Sequence, residues 1–182
     1  KKFNYENINL IINHQIPDLS NNEYKTISLS KNIFVFESPF LGLSEARNLL
    51  LNNGINKKLN TDFFVILDDD VKINDLEKYL LILSKYCTNL CFDFASSHIL
   101  IDNSREPLSR YCKFASNYKN PKLLDLKDHN MILGSALIIS KEIVLNTINF
   151  DPLLGIGSKY GGSEETDLFF TLIEKGYVGY YL

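Results

Sequence analysis

Phe63-Phe64-Val65-Ile66-Leu67-Asp68-Asp69-Asp70-Val71 sets five apolar residues directly against three carboxylates. An unbroken apolar run reads as a strand covered on both faces, as in a parallel sheet packed between helices, because a strand with one wet face alternates. The acids then fall at the carboxyl end of the strand, where open α/β sheets bind ligands. If the chain turns there, Asp68 and Asp70 converge into an oxygen-only site suited to Mg²⁺ or Mn²⁺. Such ions keep waters and bind substrate phosphates. An Asp cluster that merely ends a strand is the structural alternative for the same residues.

Upstream, Asn9 to Asn13 predicts a short buried strand ending in a polar turn, Asn13-His14-Gln15, followed by Pro17-Asp18. Ile33 to Glu37 predicts a second strand, bounded by Ser38-Pro39 and Gly42. Ser44-Glu45-Ala46-Arg47-Asn48-Leu49-Leu50 predicts a helix capped by Ser44, with Glu45 at its positive end and Gly54 as its stop. Downstream, Asn74-Asp75-Leu76-Glu77 has the spacing of a capping box with Asn74 as the cap. Leu76, Tyr79, Leu80 and Leu83 then recur at three and four, giving that helix one apolar stripe for the sheet.

Leu90 to Ile101 predicts one or two strands, and Asp102 to Asn120 a polar loop whose Arg105 and Arg110 either meet an anion or stay solvated. Met131 to Ile139 predicts a strand with Gly134-Ser135 in its middle, where glycine marks close ligand approach or a bulge. Ser140 is expected to cap a short helix through Asn146. After the glycine-rich loop from Gly155 to Gly162, Ser163 is placed to cap a helix that Gly176 ends, with Leu168, Leu172 and Ile173 toward the core.

The acids Glu164, Glu165 and Asp167 open that helix, as a purely structural helix start would also show. The same dipole keeps a carboxylate ionised, as a general base requires. At about 100° per residue Glu164 and Asp167 share a side while Glu165 points with Phe169, so the three acids do not share one job. The glycines are a poor phosphate loop, with no Gly-Lys-Ser/Thr and no dinucleotide spacing.

With 182 residues, the chain is the size of one domain with a proper core. Its 45% hydrophobic and 12% aromatic content is that of a globular protein. A net charge of −3 with scattered lysines offers no footprint for nucleic acid, which is excluded as an expected partner. Three cysteines, Cys87, Cys91 and Cys112, with no histidine at zinc-ligand spacing, predict reduced thiols in a cytoplasmic setting, Cys91 facing a core. No secretory leader opens the chain, and its longest apolar stretches fall far short of the ~20 residues that cross a bilayer. Membrane association is therefore expected only as peripheral contact, at the cytosolic face. Oligomeric state has no signal in the sequence.

Taken together, Gly42-Leu43-Ser44-Glu45-Ala46-Arg47-Asn48, Ile66-Leu67-Asp68-Asp69-Asp70 and Gly161-Gly162-Ser163-Glu164-Glu165-Thr166-Asp167-Leu168 resemble the inverting family-two glycosyltransferases of the GT-A fold. Phe150-Asp151-Pro152 resembles the Phe-Asp element that family carries before its glycine loop. The resemblance runs from Ile8 to Leu182, and the order and intervals of the motifs carry it. It implies an α/β, Rossmann-like architecture, a mostly parallel sheet flanked by helices, in one catalytic domain over 1–182.

The implied activity is transfer of a hexose from a nucleotide sugar, UDP being the favoured carrier, to a hydroxyl of a glycan acceptor, in building a surface polysaccharide. By resemblance Asp68 and Asp70 match the Asp-x-Asp motif, Asp70 as the direct Mn²⁺ or Mg²⁺ ligand and Asp68 nearer the ribose or the metal shell, with Asp69 between them. Arg47 matches the residue that lines the nucleotide side. Gly134 and Ser135 fall where the donor sugar lies against a strand. Glu165 matches the base that deprotonates the acceptor, and Asp167 the acid that supports the site.

The chain departs from that family at several points. Glu164-Glu165 stands where the family has Glu-Asp, so the base is one of Glu164, Glu165 and Asp167. Asn13 falls near the strand-end Asp that helps hold the nucleobase. The family's opening strand and its late metal-binding histidine have no counterpart in this sequence, which reads as the middle of a catalytic domain. Two alternatives stand beside the transferase. A haloacid-dehalogenase-like phosphatase would use Asp68 as nucleophile and Asp70 as acid/base. A sugar-nucleotide-binding or interaction domain without turnover would use the same pocket.

Overall fold

The structure, a computed structural model, describes residues 8–16, 25–30, 33–56, 61–69, 71–97, 121–134, 136–146 and 149–182. Asp70, Ser135, Arg105, Arg110, Cys112 and the Pro17-Asp18 turn lie outside the described residues. The chain divides into two compact units, Lys1–Asp62 with Val144–Glu164, and Phe63–Ile143 with Glu165–Leu182.

The first unit holds a three-stranded sheet of order β1-β3-β2, with β1 at Leu10–Gln15, β2 at Lys25–Ser30 and β3 at Ile33–Ser38. β1 runs parallel to β3, and β2 antiparallel to it. The expected polar turn at Asn13-His14-Gln15 is instead the last half of β1, because those residues pair with Phe36, Glu37 and Ser38 and the ladder satisfies their backbone. β1 is also half-exposed rather than buried, with Leu10 50% and Ile12 40% exposed on alternate positions.

Helix α1 spans Leu43–Asn56 and packs against β1. Ser44 lies inside it rather than capping it, and its buried hydroxyl donates to the Leu154 carbonyl at 2.8 Å. The helix also continues past Gly54 to Asn56, since one glycine costs a helix only about 1 kcal/mol.

The second unit is built on a five-stranded sheet of order β4-β7-β5-β8-β6. Its strands are β4 Phe63–Leu67, β5 Phe94–Ser96, β6 Lys122–Leu123, β7 Ala136–Ser140 and β8 Gly179–Tyr181. The sheet is mixed, which corrects the expectation of a mostly parallel one. β5 and β8 pair in parallel, whereas β7 runs antiparallel to both β4 and β5, and β6 antiparallel to β8. Insertion of β7 leaves β4 with a neighbour on one side among the described residues, so its apolar run is half-buried and Leu67 is 41% exposed.

Helix α2, Leu76–Leu90, covers one face of this sheet. Leu83, Phe92, Ala95 and Ile138 form a buried cluster, and Tyr79, Tyr86, Cys87 and Leu90 pack on it with Phe63, Val65 and Tyr180. The stripe is shorter than the spacing predicts, since Leu76 is 46% exposed. The cap is Asp75, one residue later than expected, accepting from the Lys78 backbone at 2.9 Å. The helix ends at Cys91 in the left-handed region, φ 48°, and this turns the thiol outward instead of into the core.

Met131 is not in a strand. Asp125 and Asp128 form a capping box that holds Leu126–Met131 as a 3₁₀ helix, Gly134 sits buried in the following turn, and β7 begins only at Ala136. Helix α3, Lys141–Leu145, follows β7 with Ser140 Oγ accepting from the Ile143 backbone at 3.5 Å, as the sequence predicts.

Helix α4 spans Glu164–Glu174, and Gly176 ends it as expected. With φ +83° the glycine allows a Schellman closure, in which its N–H bonds Ile173 O at 3.0 Å and the Tyr177 N–H bonds Leu172 O at 3.0 Å. Phe169 of α4 meets Phe94 edge-on, with ring centroids 6.1 Å apart, on the sheet face opposite α2. Gly179 stands opposite Phe94 in the β5–β8 ladder, and a Cβ there would lie 2.2 Å from the ring.

Candidate functional site

β4 and β5 both oppose β7, and β8 parallels β5, so β4, β5 and β8 end at one edge of the sheet. Leu67 pairs with Ala136, which brings the turn after β4 beside the turn that carries Gly134. The Val71 N–H bonds the Asp68 carbonyl at 3.1 Å. Phe63 and Val65 face α2, so the two-residue period of the strand carries Ile66 and Asp68 toward the opposite face, the one α4 covers. Asp69 is exposed in the turn.

Four residues, 175–178, join α4 to β8. So short a connection folds the helix back along the strand, and its first turn therefore lies toward the edge where β8 ends. Within this unit Asp68, Gly134, Glu165 and Asp167 thus gather toward one edge and Glu165 and Asp167 share the first turn of one helix, Glu165 half-buried and Asp167 exposed.

Arg47 and Asn13 belong to the first unit. Arg47, which the resemblance puts on the nucleotide side, is 4% exposed, its guanidinium 3.2 Å from the Glu164 carboxylate and 5.3 Å from the Phe150 ring centroid. Around this pair Asn48 clamps the Phe150 backbone, donating to its carbonyl at 2.8 Å and accepting from its N–H at 2.9 Å. Gly155 completes the packing with φ +92°, and a Cβ there would sit 3.2 Å from both Ser44 Oγ and Glu164 Cδ. Asn13 Oδ1 accepts from the buried Ser38 hydroxyl at 2.8 Å, while its buried Nδ2 meets no hydrogen-bond partner among the described residues.

The sequence reading missed the fate of Glu164. Its signal lay in Ser44, Arg47 and Asn48, spaced at three and four and so on one helix face, a polar triplet that only a partnered interior accepts. Tyr79 was also read simply as part of a stripe. Burial pushes its phenol above its ordinary range; Ser97 offsets this only in part, and the buried hydroxyl completes no hydrogen bond of good geometry among the described residues.

Donor chemistry at the β4 turn suits a hard divalent cation. Such ions are held by one or two protein carboxylates together with substrate phosphates, so Asp68 with Asp70 fits by type and number. No group of three or more His, Cys, Asp or Glu gathers into a metal cage among the described residues. A concavity of about 480 Å³ lined by Leu124, Ile173, Tyr177 and Gly179 lies at the opposite end of β8 from this edge. Its lining is mainly apolar and offers no carboxylate pair.

No helix among the described residues is long and apolar enough to cross a membrane. No protein-family model matches the chain, and no curated protein does. A solved structure of A197 from STIV is similar, with a TM-score of 0.50 and 13% sequence identity over 96% of this chain and 82% of that one. At that identity the likeness bears on the fold alone, a mixed α/β chain with helices against its sheet.

Proposed function

We propose that this chain is a metal-dependent inverting glycosyltransferase that moves a hexose from a nucleotide sugar, with UDP as the expected carrier, to a hydroxyl of a glycan acceptor. The observation that supports this most is that the Asp68 turn and the start of the Glu165 helix lie toward the same end of the sheet. The reading also rests on the order of the motifs that resemble the family. Asp68 and Asp70 would hold Mn²⁺ or Mg²⁺, which when bound stabilises a departing diphosphate.

The residues of the chain do the rest. Glu164 is paired with Arg47, and the base is assigned to Glu165, with Asp167, two residues on and so on the other side of the helix, in a supporting role. Glu165 takes the proton of the acceptor hydroxyl as that oxygen bonds the anomeric carbon and the bond to the diphosphate oxygen breaks, inverting the centre.

Calorimetric titration of UDP with and without Mn²⁺, on the chain and on Asp70→Ala, tests the reading. Metal-dependent binding that the substitution abolishes is expected; binding that survives it would put the nucleotide elsewhere. The phosphatase alternative predicts a beryllofluoride and Mg²⁺ complex dependent on Asp68 and indifferent to Glu165.

A further inference from the structure

In the first unit one loop turns its apolar side chains outward. Ile156 is 72% exposed, Phe40 68%, Tyr160 53% and Leu153 52%. The loop is firmly built behind them. Tyr160 N–H bonds Leu153 O at 2.8 Å, Leu43 N–H bonds Ile156 O at 2.9 Å, and Ser158 Oγ donates to Gly155 O at 2.5 Å. Phe40 belongs to the same tip, because a Cβ on Gly157 would lie 3.6 Å from its ring. A well-bonded backbone that presents large apolar groups to water marks an interaction site.

We propose that this tip, Phe40 with 153–160, docks on a lipid bilayer surface, an inference that goes beyond the transferase reading and uses none of its residues. Its chemistry is that of a membrane interface. Aliphatic and aromatic side chains stand at the apex, Tyr160 is amphipathic, and Lys159 lies 5.1 Å from the Tyr160 ring centroid. Lys159 is the one charged residue between 153 and 160, so no carboxylate opposes anionic headgroups at the tip although the chain as a whole carries −3. A second copy of the chain is a poorer occupant. A stable dimer buries about 800 Å² per partner, whereas a whole aromatic residue supplies about 150–250 Å², and these four side chains are only partly exposed.

The test is co-sedimentation of the full chain with vesicles of phosphatidylcholine containing a minority of phosphatidylglycerol. Wild type is expected to pellet with the vesicles, and Phe40→Ser with Ile156→Ser to bind them about tenfold less at an unchanged melting temperature. The chain has no tryptophan, so Ile156→Trp gives a single reporter. Its emission should shift to the blue on adding vesicles and be quenched by brominated lipid. Failure of wild type to pellet, equal binding by the double variant, an unshifted tryptophan, or a dimer that the double variant dissolves would each overturn the proposal. UDP and Mn²⁺ are absent from every arm, so this result and that of the transferase test read separately.

Discussion

Glu164 and Glu165 are neighbours in sequence and identical in chemistry, yet they serve different interiors. Glu164 is buried in the first unit against Arg47, within a core of hydroxyl, amide and guanidinium groups that tie α1 to the loop at 150–164. Glu165 belongs to the second unit, whose core cluster is aliphatic and aromatic and whose one buried acid among the described residues, Asp128, is paired with Lys122. A carboxylate in the first setting is a structural group, because a buried charge without its partner is costly. In the second setting it is half-buried at a helix start, the placement on which the proposed base role rests.

The largest expected effect tests that contrast directly. Glu165→Gln should lower glycosyl transfer by about 10²–10⁴-fold, the usual worth of a general base, while UDP binding and the melting temperature stay put. A loss of stability instead would make Glu165 the structural acid. Next comes Arg47→Met, expected to cost about 3–5 kcal/mol in urea unfolding, since it strands a buried Glu164. Adding Glu164→Gln should restore part of the loss, and failure to do so would break the account of the pair. Gly179→Ala should cost about 1–3 kcal/mol through overpacking against Phe94, and an unchanged midpoint would refute the close approach.

The smallest effect concerns Tyr79. A phenol raised by burial gives stability that is complete below its unfolded value of about 10 and is lost as pH rises through the higher folded value. Tyr79→Phe should leave neutral stability within about 1 kcal/mol and flatten that alkaline decline. Unfolding midpoints measured on both sides of pH 10 decide it.

The sequence pattern made the acid-tipped strand, the α4 stop at Gly176 and the α3 cap at Ser140 legible, because each depends on chain neighbours. The direction of β7 was not legible, since an apolar run reports burial and says nothing of which way the adjacent strand points. Ser44 looked like a cap for a similar reason, as its acceptor, Leu154, lies 110 residues away. Asn74 and Asp75 are both good caps, and only the bond to Lys78 separates them. At the candidate site the acids were readable from composition, while the pairing that removes Glu164 from their number needed the third dimension.

Gly179 has an evolutionary consequence. The ring of Phe94 occupies the space where any other residue would carry its first carbon, so the two positions share one volume across two strands. Chains that descend from a common ancestor with this one and keep the phenylalanine must keep the glycine, and those that gain a side chain at 179 must shrink the residue at 94. Covariation between these two columns would identify true relatives where overall identity has fallen too low to do so.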